Sequence, residues 1–209
     1  MCKDLPCKRH RGDRMRTSQC DIVIVGVGGQ GVILISDLLG RAAVKAGIPV
    51  RGAETHGMAQ RGGSVVNHTR IGCRFSPMVP EGGADILLAM EPAEALRFGH
   101  YLSRDGIALV NTTRVLPVTV TTGKARYPEL EELLSPLREI CREVRTLDAT
   151  AIAVKSGTAQ AMNVVMLGAL SKYLPLDEGL ILEALSEVVP KKYLDANVRA
   201  FKAGKAEVE

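Results

Sequence analysis

Apolar residues run without polar alternation through Ile22 to Val25, Asp85 to Ala89 and Ile107 to Val110. Strands of that kind are buried on both faces, as in a parallel sheet covered by helices. Ile35, Leu38, Leu39, Ala42 and Ala46 recur at helical spacing, which predicts a helix over about residues 30–46. Gly47 ends it, and Ile48 to Val50 starts the next strand. Ser64 to Ile71 reads as a strand in which Ser64, Val66, His68 and Arg70 alternate with Val65, Asn67, Thr69 and Ile71. Neither face is wholly apolar, so this strand is expected at an edge or an interface. His68 within it reads as a structural hydrogen-bonding group rather than a ligand.

Pro77, Pro80, Gly82 and Gly83 mark a loop over residues 75–83. Glu91-Pro92 opens a helix to about Ser103, with Pro92 in the first turn where its missing N–H is not needed. Asn111-Thr112-Thr113 closes the strand from Ile107 and would meet the first strand's end if the strands run parallel. Val118 to Thr121 alternates weakly, a helix follows from about Glu129 to Glu143, and Val144 to Leu147 is a last short strand. The helix from about Thr158 to Tyr173 is apolar round most of its circumference and so is buried, in the core or against another chain. Two amphipathic segments, Glu178 to Val189 and Lys191 to Lys202, finish the chain. The alternation of strands and helices predicts the α/β class: a three-layer Rossmann-like sheet, mostly parallel, with helices on both faces.

With 209 residues, 46% of them hydrophobic, residues 21–209 are expected to form a single domain around one core. The net charge of +4 invites a nucleic-acid partner, but residues 1–20 hold six Lys or Arg against two Asp. That basic tail accounts for the whole excess, so the expectation is a solvated arm, a neutral domain and no nucleic-acid binding. No apolar run approaches the length of a membrane span, and no secretory h-region opens the sequence. Cys2, Cys7, Cys20, Cys73 and Cys141 are odd in number and scattered, which fits a reducing cytoplasm better than a disulfide framework.

Two neighbouring stretches carry the candidate chemistry. Gly26, Gly28 and Gly31 fall in G-x-G-x-x-G spacing after the first strand, with Gly29 as an extra. Such positions serve a tight turn and close packing of helix on strand. A dinucleotide site also wants an acid at the tip of the second strand. That tip reads Val50-Arg51-Gly52, with Glu54 the nearest acid, while Arg51 suits a 2′-phosphate. The turn is therefore either architectural or an NADP-type site. Glu54, Thr55, His56, Gln60 and Arg61 then crowd, with Gly57, Gly62 and Gly63, into one loop where open α/β sheets place ligand crevices. Such a loop is either a site or interface, or a plain connection in which Glu54 pairs with Arg61.

GVGGQGV, followed by AETHGMAQRGGSVVNHTRIG, resembles the small, gamma-type subunit of the 2-oxoacid:ferredoxin oxidoreductases, and ETHGMAQRGG points within it to the indolepyruvate, or arylpyruvate, branch. LVNTTRVLPVTVTTGKARYPE, SGTAQAMNVVMLGALSKYLP and VPKKYLDANVRAFKAG agree, so the likeness runs from Asp21 to Gly204. It implies an oxidative decarboxylation of arylpyruvates to aryl-acetyl-CoA with reduction of ferredoxin. The chain has no GDG…NN segment for thiamine diphosphate and no Cys-x-x-Cys run for a cluster. The resemblance thus assigns thiamine diphosphate, Mg²⁺ and 4Fe-4S clusters to a large partner subunit, two large chains with two small, with CoA as co-substrate. The present chain would hold no cofactor, metal ligand or catalytic residue, and Glu54, Thr55, His56, Gln60, Arg61, Gly62 and Gly63 would face the partner near the active-site entrance. The alternatives are a gamma subunit for pyruvate, 2-oxoglutarate or a branched-chain 2-oxoacid, and, from another class, a stand-alone nucleotide-binding module.

Overall fold

A computed structural model describes residues 19–56, 63–73 and 75–208; the basic tail therefore lies outside it. Among the described residues are six strands, β1 (Cys20–Val27), β2 (Val50–His56), β3 (Ser64–Ile71), β4 (Ala84–Ala89), β5 (Leu102–Asn111) and β6 (Glu143–Leu147). Eight helices accompany them: α1 (Val32–Lys45), α2 (Pro92–Phe98), α3 (Val118–Thr121), α4 (Leu130–Ile140), α5 (Ala149–Ser156), α6 (Met162–Ser171), α7 (Glu178–Val188) and α8 (Lys191–Ala206). One sheet orders the strands β2-β3-β1-β4-β5-β6. The β1-β4, β4-β5 and β5-β6 pairs are parallel, whereas β3 runs antiparallel to both its neighbours. The expected α/β sheet, mostly parallel, is present with one reversed strand inside it.

The sheet's alternation sorts its side chains into two cores. Ile22, Ile24, Ile71, Ile86, Leu88, Ile107 and Leu109 face α1 and the helices from α5 to α8. Val23, Val25, Val66, Leu87, Ala89, Ala108 and Val110 face the second layer, where Ala95 of α2 and Leu134 and Leu137 of α4 cover them. Helices thus lie on both faces, as expected. The α6 helix is buried along its length, from Asn163 to Leu170, and its cover is α8 of the same chain.

Three local readings of the sequence require correction. The β3 strand is an interior strand, and β2 is the edge; several of the polar groups that suggested an exposed edge find partners inside the fold. Thr69 Oγ1 lies 3.1 Å from Ser36 Oγ on α1 and donates to Asn67 Oδ1 at 2.8 Å, while His68 Nδ1 accepts from the Val79 amide at 3.3 Å. Residues 118–121 form the single helical turn α3, because Pro117 fixes its entry and Gly123, at φ +73°, reverses the chain after it. The helix opened by Pro92 stops at Phe98, and β5 already begins at Leu102.

Candidate functional site

Because β1 and β2 both run antiparallel to β3, the carboxyl ends of β1, β2, β4, β5 and β6 share one edge of the sheet, and β3 starts there. The glycine turn and the start of β3 therefore meet. Val27 is in register with Ser64, and the Gly28 amide donates to the Gly63 carbonyl at 2.8 Å. Of the residues singled out in the loop, Glu54 to His56 belong to β2 rather than to a loop, and Glu54 is exposed. The side chains of Thr55 and His56 and the whole of Gln60, Arg61 and Gly62 lie outside the described residues.

Within the turn most of the polar valence is spent internally. Gln30 Oε1 accepts from the Val27 amide at 2.7 Å, and its Nε2 donates to the Met90 carbonyl at 3.2 Å. The Gln30 amide itself donates to Val27 O at 3.1 Å. Gly26 has no room for a side chain, since an added Cβ would sit 2.9 Å from both Gln30 Oε1 and Met90 Cβ. Gly31, the N-cap of α1, takes φ +81°, and a Cβ there would sit 2.2 Å from Asn163 Nδ2 at the start of α6. Both glycines thus serve close approach of neighbouring elements. A pyrophosphate would find the Val27, Gly28 and Gln30 amides already bonded.

Around the same edge, Asn111 of β5 bridges Met90 O (3.1 Å) and the Ala149 amide (3.1 Å), so the end of β5 does share the edge with the turn. Spacing did not reveal the carboxylates beside them. Glu91 is fully buried and caps α2 through the amides of Ala93 (2.7 Å) and Glu94 (3.1 Å), and its other oxygen accepts from the Tyr127 hydroxyl. Burial, then this bond, pushes the Tyr127 phenol up. Glu94 accepts from the Ser64 hydroxyl and pairs with Arg97 at 3.2 Å, and burial raises its carboxyl. The dipeptide Glu91-Pro92 signalled the cap, but nothing in the spacing signalled partners 36 residues downstream and 30 upstream.

Neither of two buried thiols, Cys20 and Cys141, is an activated nucleophile. Burial, aided by Asp85 and Asp21, pushes the Cys20 thiol up to about 12, and burial also raises Cys141; thiols held protonated in this way are inert. Among the described residues no three His, Cys, Asp or Glu side chains converge as a metal site, and no helix is long and apolar enough to cross a membrane. The arrangement holds the start of β3 between the glycine turn and α2.

Known proteins agree with this architecture. The profile of the family described as pyruvate ferredoxin/flavodoxin oxidoreductase matches residues 21–207. The indolepyruvate oxidoreductase subunit IorB of Archaeoglobus fulgidus is 46% identical over 186 residues, 88% of this chain and 92% of that one. The pyruvate/ketoisovalerate oxidoreductases common subunit gamma of Pyrococcus furiosus is 27% identical over 181 residues, covering 84% and 89%. The crystal structure of pyruvate oxidoreductase subunit PORC from Thermotoga maritima superposes with a TM-score of 0.68 at 25% identity, covering 90% of this chain and 96% of that one. With a matched family profile over nearly all its length and a sheet that superposes on a solved relative, this chain belongs to the pyruvate ferredoxin/flavodoxin oxidoreductase family, as its glycine turn and ETHGMAQRGG loop led us to expect.

Proposed function

We propose that this chain is the small, non-catalytic subunit of an indolepyruvate (arylpyruvate):ferredoxin oxidoreductase, acting in the cytoplasm. The observation that carries the reading is the gap between two likenesses: 46% identity to an indolepyruvate subunit against 27% to a pyruvate/ketoisovalerate gamma subunit, each over most of the chain. The site agrees in kind, since an edge whose described polar groups bond largely to one another suits a partner surface better than a reaction centre. In this reading the larger subunit holds thiamine diphosphate, Mg²⁺ and the 4Fe-4S clusters, which supply decarboxylation and electron transfer. Two large and two small chains assemble, CoA is co-substrate, and ferredoxin accepts the electrons. The glycine turn is architectural, and Glu54, Thr55, His56, Gln60 and Arg61 face the larger subunit.

The test is to produce the chain alone and together with the large subunit, and to assay both without oxygen. Indolepyruvate, phenylpyruvate, pyruvate and 2-oxoglutarate are compared, with CoA and ferredoxin present. The chain alone should be colourless and inactive, and the complex should prefer the aryl substrates. A complex that turns over pyruvate or 2-oxoglutarate faster would shift the reading to another branch of the family. Arg61→Ala should leave the isolated chain's melting unchanged and weaken assembly or turnover at least tenfold, because a planar guanidinium makes paired bonds to a carboxylate that nothing replaces.

A further inference from the structure

Residues 112–129 join β5 to α4, a connection far longer than the roughly 2–6 residues usual between a strand and its helix. Buried chemistry holds both of its ends. Near the start the Val115 amide donates to Glu91 Oε1 at 3.4 Å, and near the finish the Tyr127 hydroxyl donates to the same oxygen. Glu91 is 1% exposed. Arg114 lies 5.5 Å over the Tyr127 ring and pairs with Glu129 at 3.0 Å, which draws the ends together.

Between these anchors the apolar side chains face outward. Val115, Leu116 and Val118 are 37%, 48% and 76% exposed, Pro117 is exposed with them, and no residue of α3 is buried. The backbone of the turn is already satisfied, since the Thr121 and Thr122 amides donate to the Pro117 and Val118 carbonyls, and those of Lys124 and Ala125 to Thr119 O. A connection meant only for water would carry polar side chains here, and nothing would offset the desolvation of a carboxylate that holds it. An apolar centre with guanidinium groups beside it, Arg114 and Arg126, is the make-up of a protein–protein contact.

Two relatives indicate what covers it. The ketoisovalerate oxidoreductase subunit VorA of Methanothermobacter thermautotrophicus is 29% identical over 192 residues, which are 88% of this chain but 35% of that one. The fold likewise spans 31% of a chain of the 2-oxoglutarate:ferredoxin oxidoreductase from Magnetococcus marinus, with a TM-score of 0.69 at 21% identity. In both, most of the polypeptide lies outside the shared fold, and neighbouring domains of one chain meet over an interface.

We propose that residues 115–118 are a docking strap for the larger subunit, the counterpart of what those longer chains carry in one piece: Leu116 and Val118 enter an apolar recess on it, and Glu91 holds the strap in place beforehand. The inference rests on the subunit reading above.

Association of the full chain with the larger subunit, measured by sedimentation beside the melting of the chain alone, tests the strap. Leu116→Asp and Val118→Asp should each weaken association about tenfold or more, since each would bury an unpaired carboxylate at the contact. Both should leave the lone chain's melting temperature unchanged, because the positions are exposed. Val44→Asp, at a residue 68% exposed on α1, should leave association at the wild-type level. Tyr127→Phe removes one anchor and should speed hydrogen exchange at residues 114–122; unchanged exchange would overturn the anchoring by Glu91. Wild-type association by both aspartate variants, or an equal loss from Val44→Asp, would overturn the strap and leave the subunit reading standing. A lone chain that self-associates until Val118→Asp is introduced would overturn it too, since the strap would then join copies of this chain. If the unaltered chain does not associate with the larger subunit, the subunit reading falls and the proposed occupant falls with it.

Discussion

Gly204 of α8 lies so close to Val165 of α6 that a Cβ on the glycine would stand 1.9 Å from the Val165 carbonyl oxygen. The contact is reciprocal one turn away, where a Cβ on Gly168 would stand 2.0 Å from the carbonyl of Phe201. Two helices therefore cross backbone to backbone, with small residues letting them approach and Phe201 and Leu167 fully buried beside the crossing. Ridge-and-groove packing leaves no slack at such a point, and even a methyl must separate the helices. Gly204→Ala and Gly168→Ala should each cost about 1–3 kcal/mol by overpacking, despite alanine's better helix propensity. For a chain of this size that lowers the melting temperature by roughly 3–10 °C. Thermal unfolding followed by circular dichroism measures it, and a melting point within a degree of wild type would disprove so close a crossing.

Two buried groups give the stability of the fold opposing pH dependences. Burial lowers the pKa of His68 from its ordinary 6.5, so below that value the unfolded chain binds the proton more readily. Its contribution is complete above 6.5 and is lost as pH falls through the folded value. Burial raises the pKa of Glu94 from 4.5, against the Ser64 bond and Arg97, with Glu91 adding to the rise. There the folded chain binds the proton more readily, so stability is highest below 4.5 and declines as pH rises through the folded value. Between pH 4.5 and 6.5 the two slopes oppose. Denaturant titrations across that window should show Glu94→Gln rising more steeply with pH than wild type and His68→Gln less steeply. Parallel curves for all three would mean that neither group titrates on unfolding.

Arg70 joins three segments. Its Nε and NH2 donate to the two oxygens of Asp21 at 2.9 Å each, and its NH1 donates to the carbonyls of Ser76 (3.0 Å) and Met78 (3.3 Å). Arg70 and Asp21 are 14% and 10% exposed, so the pair is only weakly screened. Removing one side leaves a desolvated carboxylate, and Arg70→Ala should destabilise the fold by about 3 kcal/mol. Lys cannot copy a fork that binds four acceptors, so Arg70→Lys should recover less than half. Chemical denaturation with a fixed m-value is the measurement; full recovery by Lys would show that charge alone matters.

The central strands were legible because β-branched runs without polar alternation have few other uses, and the helix spacing of Ile35, Leu38 and Leu39 left little choice. What periodicity could not show was partnership at long range. Asn67, His68, Thr69 and Arg70 look like an exposed edge until Ser36, Val79 and Asp21, remote in sequence, arrive as partners. The accounting is not complete even so, since Asn67 Nδ2 and His68 Nε2 are buried without a hydrogen bond. His68 stands edge-on to Tyr101 with ring centroids 5.0 Å apart, a geometry an imidazole tolerates. At the candidate site the glycines and the polar loop were visible as residue types, but the Glu91–Tyr127 and Glu94–Ser64 contacts depend on topology. The second of them exists because β3 lies inside the sheet beside β1.

The glycine turn offers the sharpest choice between binding and architecture. Gly29 takes φ +102° with nothing within 4 Å of an added Cβ, whereas Gly31, at φ +81°, is closed off by Asn163. If the turn exists to seat α6 against α1, Gly31 is the position that matters. Gly31→Ala should then cost about 2–4 kcal/mol, combining left-handed strain with overpacking. Gly29→Ala, which adds strain without a clash, should cost about half as much. Asn163→Ala removes the amide that would stand 2.2 Å away and leaves its Cβ at 3.2 Å, so adding Gly31→Ala to that variant should cost little more than the strain, a non-additivity that two unconnected sites would not show. If instead the turn cradles a dinucleotide, the open position beside Gly29 is where the phosphates would come. Calorimetric titration of the wild-type chain with NAD, NADP, FAD and CoA should give no saturation below ~1 mM, an affinity too weak to reflect a built site. A micromolar dissociation constant that Gly29→Ala weakens while the melting temperature holds would make the turn a nucleotide site and end the architectural reading.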